Sequence, residues 1–164
     1  MTPILISACL LGQPVRYDHS HKQMDHELLR RWRKEGRLIP ICPEVAAGLP
    51  TPRPPAEIQN KRNGEDILHF QARIVDQHHN DLTAVFMSGA QLVLELAQRH
   101  QTPIAILKES SPSCGSSRIY DGSFTGHTIS GMGVTAALLT RHHIRVFNEH
   151  QLEEAAVFLA HYEA

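Results

Sequence analysis

The chain has 164 residues, enough to bury one continuous core, and 1–164 is expected to form a single domain. A composition of 41% hydrophobic and 20% charged residues with a formal net charge of −1 is globular and gives no electrostatic grip on long nucleic acid. No segment reaches the ~18 apolar residues of a membrane span, and three cysteines without paired spacing fit poorly with a secreted disulfide scaffold.

In chain order, residues 3–8 read as a buried strand, apolar, β-branched and too short for a helix. Cys9 follows at a position that resembles a lipoprotein processing site. The first basic residue is Arg16, however, and the apolar stretch is too short for a leader, so a cytoplasmic location is expected. A polar loop runs to Lys22. Asp25 is then placed to cap a helix over 26–35, with Leu28, Leu29 and Trp32 inward and Gly36 as its stop. A second strand covers 37–42. The stretch from Gly48 to Glu57 holds four prolines and excludes regular helix or central strand.

Residues 66–75 are expected to supply a short strand pair across Asn63-Gly64. Asp81 caps a helix of about twenty residues by the usual stop signals, in which Leu82, Val85, Phe86, Gly89, Leu92, Val93 and Leu96 recur at helical spacing. A third strand at 103–108 leads into a loop over 109–130. Gly131-Met-Gly133 opens a helix that buries Val134, Ala137 and Leu138. Residues 144–147 form a fourth strand, and Asn148 caps a last helix burying Leu152, Ala155, Ala156 and Leu159. The alternation predicts an α/β fold: a single-domain, Rossmann-like three-layer sandwich with a mostly parallel sheet.

Cys9, Cys42 and Cys114 each follow an apolar run that gives way to a loop rich in Gly, Pro or Ser. Parallel strands bring their carboxyl ends to one edge, where open α/β folds build their sites. Three thiols gathered there suggest a metal centre. No Cys-x-x-Cys pair marks a structural zinc, and the local cysteine run of a ferredoxin is absent. Two candidates stay open: zinc with three protein ligands and a water, which is hydrolytic, and a four-iron cluster on three cysteines with one iron left as a Lewis acid. A third reading is a non-enzymatic module that binds nucleotides or anions.

Glu44 lies two residues after Cys42 and is a candidate general acid or base, against a simpler role as a helix cap. In Lys108-Glu-Ser-Ser-Pro-Ser-Cys-Gly115, Ser110, Ser111 and Ser113 are candidates to orient a substrate, with turn formation as the plain alternative. The segment matches neither phosphate-loop pattern, and no Gly-x-Ser-x-Gly elbow supports a serine nucleophile. Arg16, Lys22 and Arg53 are candidates to hold a phosphate or carboxylate. The twelve histidines are scattered without a His-Glu-x-x-His helix and read as surface residues. The basic run from Arg30 to Lys34 reads as a solvated helix face.

With these residues in view, the chain resembles the thiouracil desulfidase family, long a domain of unknown function. The matching segments are Ser7-Ala-Cys-Leu-Leu-Gly12 with Val15-Arg-Tyr-Asp18, Cys42-Pro-Glu-Val-Ala-Ala-Gly-Leu-Pro-Thr-Pro-Arg-Pro-Pro-Ala-Glu57, Leu107-Lys-Glu-Ser-Ser-Pro-Ser-Cys-Gly115 and Gly131-Met-Gly-Val-Thr-Ala-Ala-Leu138. One departure is His19, where the family is expected to carry Gly. The resemblance implies a [4Fe-4S] cluster on Cys9, Cys42 and Cys114, with one iron free to bind the sulfur of a thio-base. It implies Glu44 as the proton-handling group, assisted by Ser111 or Ser113. The implied reaction is non-redox desulfuration of 2-thiouracil, 4-thiouracil or 4-thio-UMP, with sulfide leaving as hydrogen sulfide. A relative with an extra domain acts on tRNA, so a small base or nucleotide is the expected partner here. The three cationic residues lean toward the nucleotide.

Overall fold

The computed structural model describes residues 1–164. In chain order the elements are β1 (Ile4–Ser7), a 3-10 turn (Ala8–Leu11), α1 (Glu27–Lys34), β2 (Leu38–Ile41), α2 (Pro43–Ala46), β3 (Ala56–Ile58), α3 (Gly64–Leu68) and β4 (Ile74–Asp76). There follow α4 (Thr83–Arg99), β5 (Ile104–Leu107), β6 (Arg118–Tyr120), β7 (Thr128–Ser130), α5 (Val134–Arg141), β8 (Arg145–Asn148) and α6 (Leu152–Tyr162). Strands β2, β1, β5 and β8 lie in that order in one sheet, parallel throughout. The expected α/β architecture, a parallel sheet between two helical layers, is what the chain forms.

The sheet is covered on both faces, which is why its strands read as near-continuous apolar runs. Ile4, Ile6, Ile104 and Ile106 pack toward α1 and α6 with Leu29, Trp32, Leu152, Ala155 and Leu159. Leu5, Ala105 and Leu107 point the other way, onto Val93, Leu94 and Ala97 of α4 and Ala136 and Leu139 of α5. A third cluster joins β3, β4, α3 and β6 to α4 and α5 through Ile58, Ile74, Ile67, Ile119, Phe86 and Val134. Register aligns the ends of the strands: Ser7 stands opposite Ile41, and Leu107 opposite Asn148. No helix is long and apolar enough to cross a membrane.

Several local expectations are corrected. Helix α1 is capped by His26, whose Nδ1 accepts the Leu28 N–H at 3.1 Å, while Asp25 pairs with Arg30. Leu28 is only half-buried. The strand pair expected at 66–75 does not form: Gly64–Leu68 is a short helix and only Ile74–Asp76 is a strand, because Asn63 and Asp66 form a reciprocal capping box, each side chain accepting the other's backbone N–H at 3.1 Å. The Asn-Gly dipeptide that signals a hairpin also fits an N-cap followed by a helix start, and the acidic residue three positions on decides for the helix. Strand β4 pairs instead with β3, antiparallel, with Glu57 opposite Val75.

Helix α4 has 17 residues, and Asp81 Oδ1 accepts the Thr83 N–H at 2.9 Å beside its start. Its buried stripe is Phe86, Gly89, Ala90, Val93, Leu94 and Ala97, which leaves Leu92 facing solvent. The stretch 109–130 is not a plain loop, because β6 and β7 pair within it, Ile119 opposite Ile129. Asn148 ends β8 and does not cap α6, which begins at Leu152; its Nδ2 donates to Glu109 Oε2 at 2.7 Å. Leu138 and Ala156 are half-buried. His19 has φ 61°, the left-handed conformation that glycine adopts most easily, at the position where the resemblance expects glycine.

Gly89 sets the position of α2. A Cβ there would lie 2.5 Å from the Pro43 carbonyl oxygen, so α4 can rest directly on the backbone of α2 only without a side chain. Gly89→Ala is expected to cost about 1–3 kcal/mol through this overlap, a fall of at least about 2 °C in Tm for a chain of this size. A Tm equal to that of the wild type would show that the contact yields without cost.

Candidate functional site

The carboxyl ends of β1, β2 and β5 open into a cavity of about 470 Å³. Cys9 reaches it from the 3-10 turn after β1, Cys42 from the residue between β2 and α2, and Cys114 from the loop after β5. All three are free thiols. Pro43 begins α2, so Cys42 is its N-cap residue and Glu44 falls in its first turn. That turn brings the two side chains together: Cys42 Sγ donates to Glu44 Oε2 at 3.3 Å and also approaches the Val15 carbonyl at 3.8 Å. Glu44 is 9% exposed and lines the cavity.

The loop carrying Cys114 is built around Glu109. Its Oε1 accepts the backbone N–H groups of Ser110, Ser116, Ser117 and Arg118 at 2.8–3.2 Å. Its Oε2 accepts the Ser117 hydroxyl at 2.8 Å, the Ser116 hydroxyl at 3.3 Å and Asn148 Nδ2 at 2.7 Å. Burial alone would raise the Glu109 pKa, but the bonds from Ser117, Arg118 and Ser110 outweigh it and hold the carboxyl below its ordinary value. With the folded pKa below the unfolded one, these bonds contribute their stability above the unfolded value, near pH 4.3, and lose it as pH falls through the folded one. Glu109→Gln is therefore expected to lower Tm at pH 7 by at least about 2 °C, ~1 kcal/mol, and to flatten the loss of Tm on acidification below about pH 4.3. Thermal melts of the two proteins from pH 7 to 3 check this, and parallel curves would remove Glu109 as the loop's organiser.

Three of the residues singled out from the sequence do not line the cavity. Ser113 is fully buried, its hydroxyl 2.6 Å from Thr135 Oγ1 and its carbonyl accepting the Thr135 N–H at 2.9 Å. It fastens the loop to the start of α5. Ser110 takes a left-handed turn with φ 79°, and its backbone contacts Glu109 and Tyr120. Lys22 is exposed, and only its backbone N–H approaches the site, donating to the Cys9 carbonyl at 3.0 Å. Ser111, Arg16 and Arg53 do line the cavity. Ser111 Oγ accepts the Cys114 N–H at 2.7 Å, which leaves the hydroxyl proton free. Arg53 braces two loops, with Nη1 on the Pro50 carbonyl at 3.2 Å and Nη2 on the Val15 carbonyl at 3.0 Å. Arg16 lies over the Tyr17 ring at 5.6 Å and donates to Ser20 Oγ at 3.2 Å.

Sequence reasoning missed Lys108, Glu57, Glu109 and Phe124, all on the cavity wall. Lys108 directly follows a buried strand at the functional edge, a placement that offered a signal; Nζ pairs with Glu149 Oε2 at 2.9 Å. Glu109 follows Lys108 at the same edge and is held mainly by its own loop, while Glu57 and Phe124 are joined by contacts across the chain that leave no mark in the sequence.

Burial, then the Glu44 carboxylate, pushes the Cys42 thiol up to about 12. Burial also raises Cys9, against the attraction of Arg16 and Lys108. Cys114 is also raised well above its ordinary value, by burial first and then by Glu44, Cys42 and Cys9. All three line the same cavity. They are thiols until a soft Lewis acid displaces their protons, and loading such a centre releases those protons. No three His, Cys, Asp or Glu side chains converge closely enough to hold one metal ion. A zinc with three protein ligands needs its sulfurs about 2.3 Å from a single centre, an arrangement these side chains do not form here. Three thiols around a shared void, with no nitrogen ligand among them, suit the all-sulfur donor set of an iron–sulfur cluster, which spreads its ligands over several iron atoms.

Comparison with known proteins agrees with that donor set. A family model described as 2-thiouracil desulfurase matches residues 4–151. The uncharacterised protein YbbK of Bacillus subtilis (strain 168) is 44% identical over 151 residues, spanning 92% of this chain and 98% of its own. The solved structure of a [4Fe-4S]-dependent thiouracil desulfidase, TudS, superposes with a TM-score of 0.88 at 49% identity, covering 98% of this chain and 99% of that one.

Proposed function

The chain belongs to the 2-thiouracil desulfurase family, and from that premise we propose that it is an iron–sulfur-dependent desulfidase that converts a thiolated uracil, or its nucleotide, to the oxo form and releases sulfide. The observation that carries the reading is the meeting of Cys9, Cys42 and Cys114 on one cavity with the Glu44 carboxylate beside Cys42. The three thiolates would hold a [4Fe-4S] cluster, which supplies a soft Lewis acid suited to a thiocarbonyl sulfur.

The chain's own residues account for the rest. Glu44 holds or takes a proton at its carboxylate, one oxygen beside Cys42 Sγ and the other without a protein partner, so water delivered to the cavity can be deprotonated there. Ser111 offers its hydroxyl proton to a polar atom of the base. Leu49, Pro50, Pro54, Pro55, Leu82 and Phe86 form an apolar wall that limits water. Arg53 is engaged by two carbonyls and Lys108 by Glu149, which leaves Arg16 as the cavity cation with guanidinium N–H groups available to a nucleotide phosphate. The same reading extends over 1–164 as one domain and sets the enzyme in the reducing cytoplasm, where free thiols persist.

The test is anaerobic reconstitution with iron and sulfide, followed by sulfide release from 2-thiouracil, 4-thiouracil and 4-thio-UMP. About four irons per chain with sulfide release is the expected result. Comparable rates on base and nucleotide would leave Arg16 without a phosphate role, and sulfide from none of the three substrates would end the proposal.

A further inference from the structure

Four carboxylates line the cavity: Glu44, Glu57, Asp76 and Glu109. Two are saturated by the protein. Asp76 accepts the His78 and Asn80 backbone N–H groups at Oδ1 and Asn80 Nδ2 at Oδ2, all within 3.0 Å. Glu109 has both oxygens engaged as described. Glu44 stands beside Cys42. Glu57 on β3 has no role in the chemistry above, yet it is only 7% exposed.

Glu57 Oε1 accepts the Gly122 N–H at 2.9 Å and the Phe124 N–H at 3.2 Å. Oε2 has no protein partner. No buried side-chain polar atom in the molecule lacks a partner, so Oε2 keeps accessible surface, and the cavity is the surface that Glu57 lines. The tip of the β6–β7 hairpin sits tightly on β3: Gly122 has φ 94°, and a Cβ there would lie 2.6 Å from the Ile58 carbonyl oxygen. Two bonds and a close backbone contact thus fix the carboxylate's orientation before any ligand arrives.

We infer that Glu57 Oε2 accepts a ring N–H of the pyrimidine, which makes Glu57 a specificity-determining residue for the reaction proposed above, a reading on which this inference rests. An ionised carboxylate only accepts hydrogen bonds, and uracil and its thio forms carry ring N–H donors that flank the C2 position. In a nucleotide, whose N1 carries the sugar, the donor is N3–H; an alkyl group or lone pair at the nitrogen that faces Glu57 would leave Oε2 buried and unpaired, so it is rejected. Burial raises the Glu57 carboxyl, against the Phe124 and Gly122 bonds, consistent with an oxygen that gains from a donor. Preorganisation means that little order is lost on binding. Phe124, pinned by the same carboxylate and also on the wall, adds an aromatic surface beside the base.

The test uses cluster-reconstituted protein and reads binding as well as turnover. Calorimetric titration should show uracil binding at least about tenfold tighter than 1,3-dimethyluracil, which has no ring N–H. Glu57→Gln keeps an amide oxygen for Gly122 and Phe124 and so should keep the wild-type Tm. It should weaken uracil binding about tenfold or more, erase the discrimination, and raise KM for 2-thiouracil far more than it changes kcat. Wild-type protein that binds dimethyluracil as tightly as uracil, or that binds neither, overturns the inference without any variant. Glu57→Gln with wild-type affinity and discrimination overturns it too. Absence of sulfide release from wild-type protein counts against the proposed function instead, because uracil binding is read independently of it.

Discussion

Serine at position 42 is expected to leave a folded protein that holds little iron and releases no sulfide above background. Among the three cysteines this one gives the cleanest test. Cys9 and Cys114 belong to the two cores that sandwich the sheet, whereas Cys42 is half-buried at the start of α2. Its sulfur makes two weak contacts, to the Val15 carbonyl and to Glu44 Oε2, and a hydroxyl can donate to either of them with its one proton. Stability should therefore change by less than about 1 kcal/mol. Metal affinity should not survive, because an iron–sulfur cluster is held by thiolates and a serine hydroxyl is neither soft nor readily ionised. Iron analysis, the visible spectrum and sulfide release after identical reconstitution check this. Wild-type iron content and turnover in Cys42→Ser would remove Cys42 from the ligand set and with it the shared centre.

Glu44→Gln is expected to separate chemistry from assembly. The amide retains an oxygen that can accept from Cys42 Sγ, and it occupies nearly the same volume in the first turn of α2, so packing and iron content should match the wild type. What it lacks is the capacity to take a proton. General acid–base groups contribute about 10²–10⁴ in rate, and a fall in kcat of that order at unchanged iron content is the expected result. Should Glu44→Gln turn over at the wild-type rate, the proton route must run elsewhere, and Glu44 would be left as a neighbour that merely raises the cysteine pKa values.

The two variants probe residues that stood out in the sequence for physical reasons. Ile4-Leu-Ile and Ile104-Ala-Ile-Leu are apolar on consecutive positions because their strands are covered on both faces, while Leu38-Ile-Pro-Ile, on the edge strand, is half-buried with Pro40 exposed; the apolar pattern is visible without a structure. Once those runs are read as parallel strands, the cysteines that follow them must share an edge. Glu44 was legible by its distance of two residues from Cys42, and Arg53 by its place in the proline-rich segment facing that edge.

Residues in irregular segments were not legible in the same way. Ser110, Ser111 and Ser113 belong to one short loop with no period, so spacing carries no information on direction. Only Ser111 lines the cavity, while Ser113 is buried against Thr135, 22 positions on. Lys22 and Lys108 differ likewise: the first is exposed, and the second is drawn onto the wall by Glu149. The hairpin expected at 66–75 failed because two local signals competed at Asn63-Gly64 and the capping box won.

By itself, then, the amino-acid sequence determined the parallel sheet, its carboxyl edge and the three thiols brought to it, since burial on two faces and strand direction leave local, periodic marks. Tertiary structure alone decided which polar groups complete the site. Glu57 is set by N–H groups 65 and 67 positions away, and Glu109 is held by a loop and by Asn148 across the sheet edge. The Glu57 bonds and the Asn148 bond to Glu109 are chosen by how the chain closes in three dimensions, and no neighbouring residue in the sequence records them.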